Sequence, residues 1–217
     1  MKYFNTLPII TQKDISGNYI TVNNILSRCY FLPSLKNNLS LFYDYDIREE
    51  DSVDNLSYRY YDSSYRYWLL LYANEVVDPK SSWVLNYRDF NNYLFAKYKE
   101  KASVWFLVPV NQLDLSKVIE YTKLDIHHYE KTITTINESN KQVTKIVIDQ
   151  NTYNNLLDLS VDEYVFNNGS EITIQTEKSI ISVYDYEYAL NESKRKIKII
   201  NKDYVEEAER SFRDLMK

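Results

Sequence analysis

The chain has 217 residues, 44% of them apolar, 15% aromatic and 26% charged, with a formal net charge of −5. That is enough apolar material to bury a core, which excludes a compositionally disordered chain, and the acidic balance argues against a general nucleic-acid binder. A single cysteine, Cys29, excludes an intramolecular disulfide and a CxxC metal site, and suits assembly in a reducing cytoplasm.

The opening "MKYFNTLPIITQKD" has no apolar run long enough for a signal peptide, and residues 1–38 read as an extended arm. Within it, Val22 to Leu32 suggests a short helix ended by Pro33. "LSLFYDYDI" alternates as a strand with Leu41, Tyr43, Tyr45 and Ile47 on one face, and the acidic break "REEDS" follows. Two helical stretches come next. Tyr61, Tyr65, Trp68 and Tyr72 recur at spacings of four, three and four, which predicts one buried helix face. "NEVVDP" ends that helix, and a further helical face runs through Tyr87, Phe90, Leu94 and Tyr98. "ASVWFLVPV" (Ala102 to Val110) reads as a buried strand or extended segment, and the strongest apolar run, "YWLLLYA" (Tyr67 to Ala73), is too short to span a bilayer.

From Gln112 to Glu177 the runs "KVIEYTKL", "KTITTI", "KQVTKIVID" and "EITIQT" read as short strands between polar turns. The chain then returns to a helix, a short strand "KIKII" and a last helix. That helix places Val205, Ala208, Phe212 and Leu215 on one face, and Asp203 with Glu206 suggests its capping box. Glycine is scarce, with Gly17 and Gly169 standing where average usage gives roughly fifteen. Asparagine is expected to take over left-handed turn positions, and phosphate-cradling loops lack material.

Little in the sequence supports catalysis. His127 and His128 are the only histidines, and neighbours on a strand point to opposite faces, so one metal site would need a kink to receive both. No GxSxG or HExxH occurs, and Glu49-Glu50 lies in an acidic turn where solvated charge is the ordinary explanation. No enzyme activity, cofactor or metal is expected. The basic run Lys194, Arg195, Lys196 and Lys198 is local, and follows a helix ending in Glu192, which can pair with Lys196 at i,i+4. Ile197, Ile199 and Ile200 offer a strand edge that either a partner or this chain's own strand would cover.

Three blocks in order resemble a known family. The first spans Asn38 to Tyr98 and supplies an aromatic-Trp helix core, Tyr67-Trp68, followed by Asn74, Asp78-Pro79 and Trp83. The second is "DIHHYE" (Asp125 to Glu130), and the third contains Tyr186, Glu187, Asn191, Glu192, Lys194, Arg195 and Ile197. Together they resemble the baseplate wedge subunit of contractile-tailed phages, numbered fifty-three in T-even phages, whose first block is LysM-like. The glycines usual before the first LysM helix and at its end are absent here, replaced by "REEDS" and "YYDSS".

The resemblance implies an α+β fold, with a LysM-like βααβ core at 39–101 built on Tyr61, Tyr65, Trp68, Tyr72, Asn74, Asp78, Pro79 and Trp83. It is flanked by the 1–38 arm, a β-rich insertion at 102–177 and a helical C-terminal segment, a helix-strand-helix clamp, at 178–217. The resemblance further implies a structural virion protein of the tail baseplate, made in the host cytoplasm. It would bind other baseplate wedge subunits and link neighbouring wedges around the hub in a sixfold assembly, without nucleic acid or membrane. Tyr186, Glu187, Asn191, Glu192, Lys194, Arg195 and Ile197 are then the expected partner contacts. The 22 tyrosines suit interfaces as well as a core. Two readings from other classes stand beside it: a LysM-type cell-wall glycan-binding module of a tail-associated protein, and a DNA contact through the basic run.

Overall fold

The computed structural model describes residues 3, 7–25, 27, 40–76, 78, 82–137, 140–166 and 171–216. In chain order the elements are β1 (Ile9–Lys13), β2 (Tyr19–Asn23), β3 (Phe42–Asp46), α1 (Val53–Tyr61), α2 (Tyr67–Ala73), α3 (Tyr87–Phe106) and α4 (Leu115–Leu124). There follow β4 (Ile126–Asn137), β5 (Asn140–Ile148), α5 (Gln150–Asn155), β6 (Leu159–Val165), β7 (Glu171–Ser182), α6 (Val183–Ser193), β8 (Lys196–Ile200) and α7 (Val205–Leu215). The fold is α+β. It divides into two compact units, residues 1–86 with 192–217, and residues 87–191. The four consecutive segments expected from the sequence divide the chain differently, because α3 is one unbroken helix across the boundary placed at 101.

In the first unit β1 and β2 form an exposed antiparallel hairpin, so the expected arm is in part a strand pair. Gly17 takes the left-handed turn position at φ 84°, and Asp14 accepts from Asn18 N at 2.8 Å. The short helix expected from Val22 falls mostly outside the described residues, but Val22 itself belongs to β2. Of the expected βααβ core, β3, α1 and α2 lie within 39–101, and among the described residues of that range there is no second strand. β8, about 150 residues downstream, pairs antiparallel with β3, with Ile199 opposite Tyr43 and Ile197 opposite Tyr45. The strand edge at 197–200 is therefore covered by this chain's own β3, and Ile197, Ile199 and Ile200 are buried.

Helix α1 starts where the Ser52 hydroxyl accepts from Asn55 N at 3.2 Å, and it ends at Asp62 in the left-handed region, φ 54°. The chain breaks there, so Tyr61 and Tyr65 do not share a helix with Trp68 and Tyr72. Tyr61 and Trp68 are buried and Tyr72 is half-buried, while Tyr65, expected in the core, stands on a 3-10 turn with 62% of its surface exposed. Helix α7 lays Phe212 against Trp68, ring centroids 4.6 Å apart, and edge-on to Tyr72 at 5.3 Å. Its buried face is Val205, Glu209 and Phe212, and Leu215 points out. The expected box of Asp203 and Glu206 does not form. Asn201 instead caps a 3-10 turn, accepting from Asp203 N at 3.3 Å.

In the second unit α3 buries Phe90, Leu94, Tyr98 and Ala102 at a constant spacing of four, and packs on α4. "KVIEYTKL" is helix α4 and not a strand. Asp114 accepts from Lys117 N at 2.8 Å to cap it, and Val118, Tyr121 and Thr122 form its buried face. "ASVWFLVPV" is the end of α3 and the loop after it; Val104, Trp105 and Leu107 are exposed, and Leu107 turns left-handed at φ 53°. With Glu75, Asp62 and Leu107 are the non-glycine left-handed residues among those described, so asparagine does not take this role there. β4 to β7 form a four-stranded antiparallel sheet in the order β5-β4-β7-β6.

Candidate assembly interface

The resemblance pointed to two groups of residues, and local chemistry explains where each sits. Asn74 follows α2 and turns its amide onto the outer edge of β8. Its Oδ1 accepts from Lys198 N at 2.7 Å, and its Nδ2 donates to Lys198 O and Leu70 O, both at 2.8 Å. One position further along that edge, Ile200 N donates to the Tyr61 hydroxyl at 3.1 Å. Burial pushes that phenol well above its ordinary range. Two side chains thus take the place of a third strand, satisfying backbone groups that a two-stranded sheet leaves open. Trp83 is buried and Asp78 is exposed, with its carbonyl accepting from Ser82 N at 2.8 Å; Pro79 lies outside the described residues.

The basic run is largely absorbed inside the first unit. Lys196 and Lys198 lie across from Asp46 and Asp44 of β3. Arg195 donates from Nε and Nη2 to the two carboxylate oxygens of Glu192 at 2.8 and 2.6 Å, and from Nη1 to Ile47 O at 2.8 Å. Its own carbonyl accepts from Ile47 N at 2.9 Å. The Glu192 partner is Arg195, three residues on, in place of the expected Lys196; the guanidinium holds that carboxyl below its usual range. Arg195 is a strut between the start of β8 and the end of β3, and Ile197 is core. Lys194 is half-buried.

Glu187, in the second unit, is 4% exposed and accepts three bonds: from Tyr98 Oη at 2.6 Å, Lys97 Nζ at 2.7 Å and Tyr93 Oη at 3.0 Å. Burial alone would raise its pKa, but these donors and the ammonium reverse the sign and hold it below the ordinary value. Asn191, one turn later, is also buried. Tyr186 is half-buried and stacks flat on His127, centroids 3.7 Å apart. β4 has a register shift between Ile126 and His128, so the two histidines do come together, with Nδ1 atoms 2.8 Å apart. Among the described residues no three His, Cys, Asp or Glu side chains gather as a metal site, and no helix is long and apolar enough to cross a membrane.

A surface that residue-by-residue reading of the sequence missed is the sheet itself. No described residue of β4, β5, β6 or β7 is buried. The registers assign Tyr129, Ile133, Ile146, Ile148, Ile174 and Ile180 to one face, together with Tyr164 from β6. α5 covers one end of that face. Tyr153 packs on Tyr129 at 4.7 Å, and Lys178 Nζ donates to the carbonyls of Leu156 and Tyr153 at 2.6 and 3.2 Å, closing the helix end. The rest is open, with Ile146, Ile180 and Tyr164 each more than two-fifths exposed. The missed signal was present in the strands, whose apolar residues alternate as though a layer lay over them.

Comparison with curated proteins finds no match. The family model described as base plate wedge protein 53 matches residues 11–180, which covers most of the chain and nearly all of the second unit. The chain therefore belongs to the base plate wedge protein 53 family, and its role is structural, in a phage baseplate.

Proposed function

We propose that this subunit acts as a clamp in the tail baseplate of the virion, binding other wedge subunits and linking neighbouring wedges around the hub in a sixfold assembly, without catalytic turnover. The observation that carries this reading is the sheet of β4–β7, whose strands contain no buried residue. A sheet stable by itself ordinarily packs one face on a second layer. Here the face bearing Ile133, Ile146, Ile174 and Ile180 supplies the apolar centre of an interface, and the second layer comes from other wedge subunits.

In this arrangement the sheet face is the main docking surface, and the 186–197 block contributes mostly from within each unit. Glu187, Asn191 and Ile197 are buried in their own units, and Arg195 is engaged within its own, so these residues shape the scaffold. The test is Ile174→Lys, supplied in place of the natural subunit during phage growth. The variant keeps its circular dichroism spectrum and falls at least about tenfold in incorporation into tails, as expected for a charge placed in an interface core. Incorporation at the natural level would sink the proposal.

A further inference from the structure

The two outer edges of the four-stranded sheet match each other. Lys178 N donates to Asp158 O, so the even-numbered residues at the start of β6 direct their backbone groups toward β7. Bonding direction alternates along a strand, and the registers carry the alternation across the sheet. β7 bonds β4 through odd residues, β4 bonds β5 through odd residues, and β5 answers through even ones. The backbone groups aimed outward are then those of Lys141, Val143, Lys145 and Val147 on β5, and of Leu159, Val161, Glu163 and Val165 on β6. Both strands are exposed along almost their whole length.

All eight of these side chains lie on one face, opposite the isoleucine face described above. That face has an inverted pattern. Its central strands present Glu130, Thr132, Thr134, Thr173, Gln175 and Glu177, with Ile136 near one end, while its valines stand on the outermost strands. Val143, Val147, Val161 and Val165 are each more than half exposed. A sheet edge that ends in solvent keeps exposed apolar side chains off its outermost strands, and here four valines stand on them between the charges. The edges also differ in sign: β5 carries Lys141 and Lys145, and β6 carries Asp162 and Glu163.

We propose that β5 of one copy pairs with β6 of a second copy of this chain, extending the sheet from subunit to subunit. The strands alternate in direction across the order β5-β4-β7-β6, so a second copy in the same orientation presents its β5 antiparallel to the first copy's β6. One register satisfies both patterns. Lys145 lies opposite Glu163, Val143 opposite Val165 and Val147 opposite Val161, with outward-bonding residues facing outward-bonding residues. Lys145 already reaches Glu130 of its own chain at 2.9 Å and remains 63% exposed, so it can serve Glu163 of the neighbour as well. The contact is heterologous, joining unlike edges, and therefore propagates to a ring or a row. It uses the edges and leaves the isoleucine face available to other subunits.

The experiment is a cysteine crosslink in the full chain carrying Cys29→Ser. Thr144→Cys with Tyr164→Cys sits at a non-hydrogen-bonded position of the proposed register, and mild oxidation is expected to give covalent oligomers both in concentrated purified protein and in assembled tails. Val143→Cys with Tyr164→Cys puts the thiols on opposite faces and is expected to give none. Lys145→Glu and Glu163→Lys, singly, are expected to weaken self-association about tenfold in sedimentation, with the double exchange restoring it. Absence of the Thr144–Tyr164 crosslink from both protein and tails, or equal crosslinking by both pairs, would overturn the edge pairing. The Ile174→Lys result, which reads the face alone, is independent of either.

Discussion

At the residue scale the family blocks mark positions that hold each unit together. Glu187 gathers one ammonium and two phenols in a buried site, so Glu187→Gln is expected to cost about 2 kcal/mol by urea denaturation. Its folded pKa lies below the unfolded value, as do those of Glu192 and of Asp51. Asp51 is opposed by burial, but the Tyr45 hydroxyl, Arg48 N and Arg59 outweigh it. The stability contributed by these three carboxylates is full above the ordinary carboxylate range, about pH 4 to 5, and is lost as pH falls through their folded values. Acid titration of Glu187→Gln should therefore show a shallower loss than the natural chain. Arg195→Glu sets two carboxylates against each other and abandons Ile47 O; it is expected to melt the first unit, read as lost cooperativity in thermal denaturation. These residues were visible in the sequence as polar letters within a block, but their partners were not. Arg195 meets a carbonyl 148 positions away and Glu187 a lysine 90 positions away, and no local period encodes such a distance.

At the element scale, periodicity served where a pattern was long and regular and misled where a short run fitted two periods or a turn interrupted it. Helix α3 was legible from Phe90, Leu94 and Tyr98, and "KTITTI" and "EITIQT" from alternation. "KVIEYTKL" passed for a strand because its Val-Ile and Tyr-Thr pairs favour extended structure; the Asp114 cap and the neighbouring α3 decided for a helix. The aromatic stripe failed at Asp62, where a left-handed residue without glycine's signature divides α1 from α2. Leu107 ends α3 in the same way, with 89% of its surface in solvent. Leu107→Gly removes the Cβ strain and buries nothing less, so it is expected to stabilise the second unit by about 1 kcal/mol, measurable as a raised urea midpoint.

At the scale of the whole molecule, the two units have separate cores and separate tryptophans: Trp68 and Trp83 in the first, Trp105 in the second. Unfolding should not follow one two-state transition. Trp68→Ala is expected to lower the first unit's stability by about 3–5 kcal/mol and leave the Trp105 signal's transition where it was. The pairing of β3 with β8 also orders events during synthesis. The second unit is contained in residues 87–191 and has all its strands once that stretch has emerged, whereas the first waits for residues 196–200. Until then β3 has no partner, and Asn74 and Tyr61 have no strand edge to cap. A chain that stops before β8 thus has a complete second unit and an incomplete first one, and released chains truncated after residue 191 should protect 126–182 from protease while leaving 42–73 open. Completion of β8 is therefore the step that closes the first unit, and a copy lacking it carries one folded unit and one open one.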